Sequence, residues 1–176
     1  MSDPVPESLR YQDGLYRFER FPKTAVTDAR AKRILTRVLR IVHKPWFAVW
    51  MPTGVAELTT IGRQSGLSRS TFVRAFHDHD RAYLVAIAGE NTLWLKNIRA
   101  NPRIALKFRR ARYEGIAREP REDERRALED AFCGIHPFDY AENLFHRTGL
   151  PNRRKIVELH RAWLAGGTPL VVDLTR

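Results

Sequence analysis

The chain has one cysteine, Cys133, among its 176 residues. That excludes an internal disulfide and any multi-cysteine metal site. Cys133 falls in an apolar helical pattern and reads as a small core residue. Long hydrophobic runs are missing too: the longest, Trp46 to Met51, is far too short to span a bilayer. The N-terminus, Met1-Ser2-Asp3-Pro4-Val5-Pro6-Glu7, carries acids and prolines where a secretory signal needs a basic start and an apolar run, so a cytoplasmic location is expected. There is no Gly-x-Ser-x-Gly elbow, no His-Glu-x-x-His pair and no Cys-His constellation, which leaves hydrolytic and metal-dependent mechanisms without machinery. Zinc-finger spacing, a helix-turn-helix pattern and a paired aromatic platform are likewise absent, which argues against nucleic acid as a partner.

Acidic residues are the other shortage. Twenty face thirty-one Lys and Arg, for a formal charge of +11. Such a surplus attracts a polyanion, whether anionic lipid or a negatively charged cofactor, without choosing between them. With 43% hydrophobic residues and no internal repeat, the expectation is a single domain over 1–176.

Residues 1–23 read as an irregular arm broken by Pro4, Pro6 and Pro22. Residues 24–45 predict a basic amphipathic helix, with an N-cap near Thr27 and a stop before Pro45. Ile34, Leu35, Val38, Leu39 and Val42 make its apolar face, and Arg30, Arg33, Arg37, Arg40 and Lys44 line another. Two readings fit: a helix packed on the body of the protein, or one lying on an anionic membrane beside Trp46, Phe47 and Trp50.

Strand patterns dominate residues 53–118. Val55 to Gly62, Arg69 to Phe76 and Ala82 to Ala88 alternate as a meander, with His77-Asp78-His79-Asp80 expected as its second turn. His77 and His79 lack further ligands, so metal binding is not expected. A short helix is predicted from Thr92 to Ala100, then strands Arg103 to Phe108 and Arg112 to Arg118 around the basic turn Arg109-Arg110. Over 120–176, Glu122, Asp123 and Glu124 open a helix that stops at Gly134. A second helix runs from about Asn152 to Ala165, and Pro169 to Leu174 is a closing strand. Five or six hairpin-linked strands with helical additions indicate a mainly β, α+β antiparallel barrel. A dinucleotide fold is excluded because Gly62 and Gly66 stand too far apart and a strand follows them.

The most informative stretch joins the first two strands: Leu58-Thr59-Thr60-Ile61-Gly62-Arg63-Gln64-Ser65-Gly66-Leu67-Ser68-Arg69-Ser70-Thr71. Two glycines permit a tight turn, Ser65 and Ser68 offer hydroxyls, and Arg63 and Arg69 offer forked cations suited to oxyanions. The same composition also fits a solvent-facing basic hairpin loop.

Together with Tyr83-Leu84-Val85-Ala86 and Trp94-Leu95-Lys96-Asn97-Ile98-Arg99-Ala100-Asn101-Pro102, this loop resembles the deazaflavin-dependent nitroreductase family of actinobacteria and other microbes. The resemblance covers roughly residues 55–132. It implies a split β-barrel of the FMN-binding, pyridoxamine-phosphate-oxidase-like type that uses coenzyme F420 to pass hydride to a quinone or nitro compound. Split barrels of this kind are often homodimers. Carried over, Arg63, Gln64 and Ser65 would meet the cofactor's phosphate and tail, and Arg69, Ser70, Thr71, Phe72, Val73 and Arg74 would run beside its ribityl chain. Ala86, Ile87, Ala88 and Gly89 would approach the ring through backbone groups, and Trp94, Leu95, Lys96 and Asn97 would close the pocket. Read without the resemblance, Trp94 also fits a core aromatic, and Asn97 a helix-terminal hydrogen-bonding residue.

The chain departs from the family at Gln64, where many relatives have Lys, at Phe72, where Pro is common, and in a shorter Gly89-Glu90-Asn91-Thr92 loop. Losing one exposed cation costs only about 1 kcal/mol, which Arg63, Arg69 and Lys96 can offset. Tyr140 and His136 are the family-like candidates for catalytic proton donors, and both also fit packing or surface roles. FMN, held by the same Arg63 and Arg69, is the alternative cofactor. A non-catalytic cofactor- or lipid-binding protein is the alternative class.

Overall fold

The computed structural model describes Pro6, Leu9, Glu19 and residues 51–175. The expected basic helix over 24–45, with Trp46, Phe47 and Trp50, lies outside the described residues, as does the arm over 1–23 apart from those three positions. No described helix is long and apolar enough to cross a membrane.

Six strands close into an antiparallel barrel: β1 (Val55–Ile61), β2 (Ser68–Asp78), β3 (Arg81–Ala86), β4 (Arg103–Lys107), β5 (Arg112–Arg118) and β6 (Thr168–Thr175). Their order around the wall is β1-β2-β3-β6-β5-β4. The first three form the expected meander, and the C-terminal strand inserts between β3 and β5. Closure leaves no unpaired sheet edge.

Two-residue periodicity sorts each strand between two cores. Inward go Ala56 and Leu58, Val73 and Ala75, Ala82, Leu84 and Ala86, Ile104 and Leu106, Ala117, and Leu170 with Val172. The many alanines suit the narrow lumen of a six-stranded barrel. One end is closed by helix α1 (Leu93–Ala100), whose Leu95 and Ile98 join that core. At the other end, His77 stacks on Tyr113 with ring centres 4.6 Å apart and lies 5.8 Å from Phe108. β2 neighbours neither β4 nor β5, so these rings meet across the lumen and plug it. His77 and Asp78 are therefore not turn residues, as expected from the sequence, but the last paired residues of β2, opposite Ala82 and Arg81. The turn itself is His79-Asp80, with His79 in the left-handed region at φ 51°.

The second core lies between the barrel wall and the helices. Outward-facing Phe76, Tyr83, Val85 and Val171 pack on Leu128 and Phe132 of α2 (Arg125–Cys133) and on Leu159, Ala162 and Trp163 of α4 (Arg153–Gly166). Between them runs α3 (Pro137–His146), which the periodicity reading missed. Its start signal was present: Pro137 occupies the first turn, and Asp139 accepts a 2.6 Å hydrogen bond from the His136 N–H.

Two ion networks bind the layers. At one, Glu124 is 2% exposed and meets Arg118 at 2.7 Å, Arg121 at 2.9 Å and Arg81 at 3.2 Å, while Arg118 also holds Asp173 of β6. At the other, Arg74 of β2 meets Asp139 at 2.5 Å and Glu142 at 3.1 Å on α3, and donates to the Phe132 carbonyl at the end of α2. Its guanidinium also lies over the Phe76 and Phe132 rings, at 4.9 and 5.2 Å.

Removing Arg74 strands two carboxyls, one of them fully buried. Arg74→Ala should destabilise the fold by about 3 kcal/mol or more, read from urea unfolding. A loss within about 0.5 kcal/mol of zero would mean the network contributes nothing net.

The two acids titrate in opposite senses. Burial raises the Asp139 carboxyl, but hydrogen bonds from Arg74 and His136 and the charge of Arg74 outweigh it and hold it below the usual range. Its contribution to stability is present above the unfolded value and is lost as pH falls through the folded one. Burial pushes Glu142 up to about 7 against the pull of Arg74. That contribution is complete below the unfolded carboxyl value and disappears as pH rises through about 7. Wild-type protein should therefore lose stability relative to Glu142→Gln between about pH 5 and about pH 8 in urea midpoints. Parallel curves would mean that Glu142 is ionised throughout.

Candidate functional site

The loop between β1 and β2 sits at the α1 end of the barrel. Its glycines are required by geometry. Gly66 has φ 65°, and a Cβ on Gly62 would stand 2.8 Å from the Ser65 hydroxyl and 3.2 Å from the Leu67 carbonyl. The resulting turn spends its own donors. Gly62 N–H bonds the Leu67 carbonyl at 2.9 Å, Gly66 N–H bonds the Gly62 carbonyl at 2.8 Å, and Leu67 N–H bonds Ser65 Oγ at 3.4 Å. The glycine N–H groups are thus used inside the turn.

Side chains are what the loop offers. Arg63, Gln64, Ser65, Ser68 and Arg69 are all exposed. Among the described residues neither Arg63 nor Arg69 makes an ion pair, whereas Arg74, Arg81, Arg99, Arg118, Arg121 and Arg147 each have an acidic partner. The stem of Arg69 lies against the loop, since its Cγ would be 3.6 Å from a Gly62 Cβ. Lys96, half-buried on α1, is near enough to help lower the Glu90 carboxyl, whose main cause is the hydrogen bond from Arg99.

Asn97 of α1 bridges the loop to the barrel. Its Oδ1 accepts from the Arg63 N–H and its Nδ2 donates to Thr60 Oγ1, both at 3.2 Å. Thr60 is 2% exposed and was not singled out from sequence. The signal was a hydroxyl in the inward row of Ala56, Leu58 and Thr60.

The remaining candidates divide by strand parity. Val73, Ala86 and Leu95 belong to the barrel core, so their side chains are turned away from any surface ligand. Ser70 Oγ pairs with Thr59 Oγ1 at 3.1 Å, while Thr71 and Phe72 are half-buried on opposite faces of β2. Trp94 is half-buried against the barrel core. Arg74 points to the helices instead of the loop. Ile87 and Ala88 are half-buried, and Gly89, at φ 52°, packs with its Cα near the Gly166 carbonyl. Glu90 beside it clamps Arg99 and accepts from Thr168 at 3.4 Å.

Tyr140 and His136 lie elsewhere. With Ile135, Pro137 and Arg153 they line an open groove of about 420 Å³ in the helical layer. The His136 ring is 5.1 Å from Phe76, near the far end of β2 from Ser68, roughly 25 Å along the strand. Asp139, Glu142 and His160 form a metal-like cluster nearby, but the Arg74 guanidinium already occupies its centre, 2.5, 3.1 and 3.5 Å from them respectively.

A family model described as F420H(2)-dependent quinone reductase matches residues 31–144. Among solved structures, the chain is similar to one described as an F420-H2 dependent reductase (FDR-A), at 21% identity over 68% of this chain and 94% of that one, with a TM-score of 0.45. It is similar to a domain-swapped dimer at 16% identity, covering 82% of this chain and all of the other, TM-score 0.49. A structure described as an F420 reductase matches at 15% identity over 74% and 93% of the two chains, TM-score 0.40. No curated protein matches.

Proposed function

Since the chain belongs to the F420H(2)-dependent quinone reductase family, we propose that it takes hydride from reduced coenzyme F420 and delivers it to an electron-poor organic acceptor, a quinone or a nitro compound. The observation that carries the cofactor half is the pair of exposed cations, Arg63 and Arg69, that make no ion pair among the described residues and flank one glycine-shaped loop at the α1 end of the barrel. Surface arginines without acidic neighbours are suited to a phosphate and a polycarboxylate tail, which are the anionic parts of that cofactor. Lys96 adds a third cation, and Gln64 contributes a neutral hydrogen-bonding side chain where a further charge would be usual. The backbone from Ala86 to Gly89 and the Trp94 ring are the groups proposed to flank the deazaflavin.

When bound, the deazaflavin supplies the hydride, so the protein's tasks are to hold the anion, orient the ring and manage the proton. A quinone or nitro group that accepts hydride is left with an oxyanion that needs a proton. Tyr140 and His136 are the proposed donors. In this reading they act at the acceptor and not at the phosphate.

Arg63→Ala should weaken coenzyme F420 binding about twofold to fivefold, as expected for one exposed charge, and leave thermal unfolding unchanged. Titration by fluorescence, with FMN in parallel, checks it. An unchanged dissociation constant removes Arg63 from the site, and preference for FMN replaces the cofactor. Tyr140→Phe and His136→Gln should lower turnover with a quinone acceptor severalfold without altering cofactor affinity. Unchanged turnover in both would assign the proton to solvent.

A further inference from the structure

The loop that carries Arg63 and leads into Arg69 is exposed from Arg63 to Leu67, and among the described residues its other hydrogen bonds run within it. Its link to the protein body is Asn97. That side chain stands on α1 between Leu95 and Ile98, which are 1% and 3% exposed and seal the barrel end, so the helix beneath it is firmly seated. One end of the amide reaches down to Thr60 in the inward row of β1, and the other reaches out to the Arg63 N–H. The two bonds also fix the amide's orientation: only Oδ1 can accept from Arg63, which leaves Nδ2 to donate to the Thr60 hydroxyl.

We propose that Asn97 is a positioning residue: held by Thr60, it pins the backbone of Arg63 and so aims the loop's cations, and it does not itself contact the cofactor. This rests on the reading of the loop as the phosphate site. The chemistry favours a latch over a ligand because each end of the amide already has a partner inside the protein. A tail anion held by a loop anchored at one backbone N–H would gain affinity from preorganisation, since fewer conformations are lost on binding.

Three measurements on the full chain test this. In hydrogen exchange without any ligand, the Arg63 amide should be protected in wild type, and Asn97→Ala should speed its exchange roughly threefold to tenfold, the range expected for one hydrogen bond. Equal exchange in both proteins overturns the latch. In binding, Asn97→Ala and Thr60→Val should each weaken coenzyme F420, and the double variant should be no weaker than the worse single one, because both act through one connection. A deazaflavin lacking the phosphate and tail should bind all three variants as it binds wild type, which a merely damaged fold would not allow. If Thr60→Val leaves coenzyme F420 binding intact while Asn97→Ala weakens both ligands, Asn97 contacts the cofactor and the positioning role is wrong. If wild type binds no deazaflavin at all, the cofactor reading fails separately, and the exchange result alone decides the latch.

Discussion

One guanidinium ties the helical layer to the barrel. Arg74 leaves the wall of β2 on its outer face, at a position where neighbouring strands present aromatics and aliphatics, and a bare charge there would be intolerable. Asp139 and Glu142 on α3, the Phe132 carbonyl at the end of α2 and the faces of two phenylalanines remove that difficulty together. A buried ion pair of this kind adds little net stability compared with well-packed apolar residues. Its larger consequence is register: α3 can dock only where its two acids reach Arg74, and α2 only where its last carbonyl does. The Glu124 cluster works similarly at the start of α2, against β3, β5 and β6.

These networks also locate the charge surplus. The acids are few, and the best placed of them are committed: Asp139 and Glu142 to Arg74, Glu124 to three arginines, Glu90 to Arg99, Glu158 to Arg147 and Arg154. What remains unneutralised is left to the surface. Arg63 and Arg69 flank one tight loop, with the Arg69 stem against Gly62, whereas Arg109 and Arg110 are on an open hairpin turn at the plugged end. The bulk charge of +11 is thus not a property of this loop alone, since much of it falls on residues outside the described ones.

Strands were readable because their alternation is local, and the six of them fall within a residue or two of the positions expected from sequence. The hairpin-linked strand pattern and the family resemblance both pointed to the barrel, but not to the insertion of the C-terminal strand between β3 and β5. What escaped was non-local. Arg74 and Asp139 are 65 residues apart, and nothing near either announces the other. His77 looked like a turn residue because it sits in a polar run, yet its inward parity sends it into the lumen to stack on Tyr113. Val73 and Leu95 entered the candidate site as members of motifs, and parity then turned them into the core. α3 hid because its apolar residues are interrupted by the acids that meet Arg74, which weakens the periodic signal that marks a helix.

The way the loop is built bears on how the protein could choose its cofactor. A phosphate cradle made of backbone N–H groups is rigid and reads tetrahedral geometry. Here the glycine N–H groups are used in shaping the turn, so on the proposed reading the exposed arginine side chains would carry much of the recognition. Such a site would register charge well and the identity of its bearer poorly, so the phosphate of FMN would meet it as well, though without the polycarboxylate tail. On the proposed reading, discrimination would come from where the ring lies, and Phe72, Trp94 and the buried turn at Gly89 are the groups proposed to meet it. On this argument the substitution of Gln64 for a lysine changes how tightly an anion is held, while Phe72 in place of proline bears on which ring is accepted.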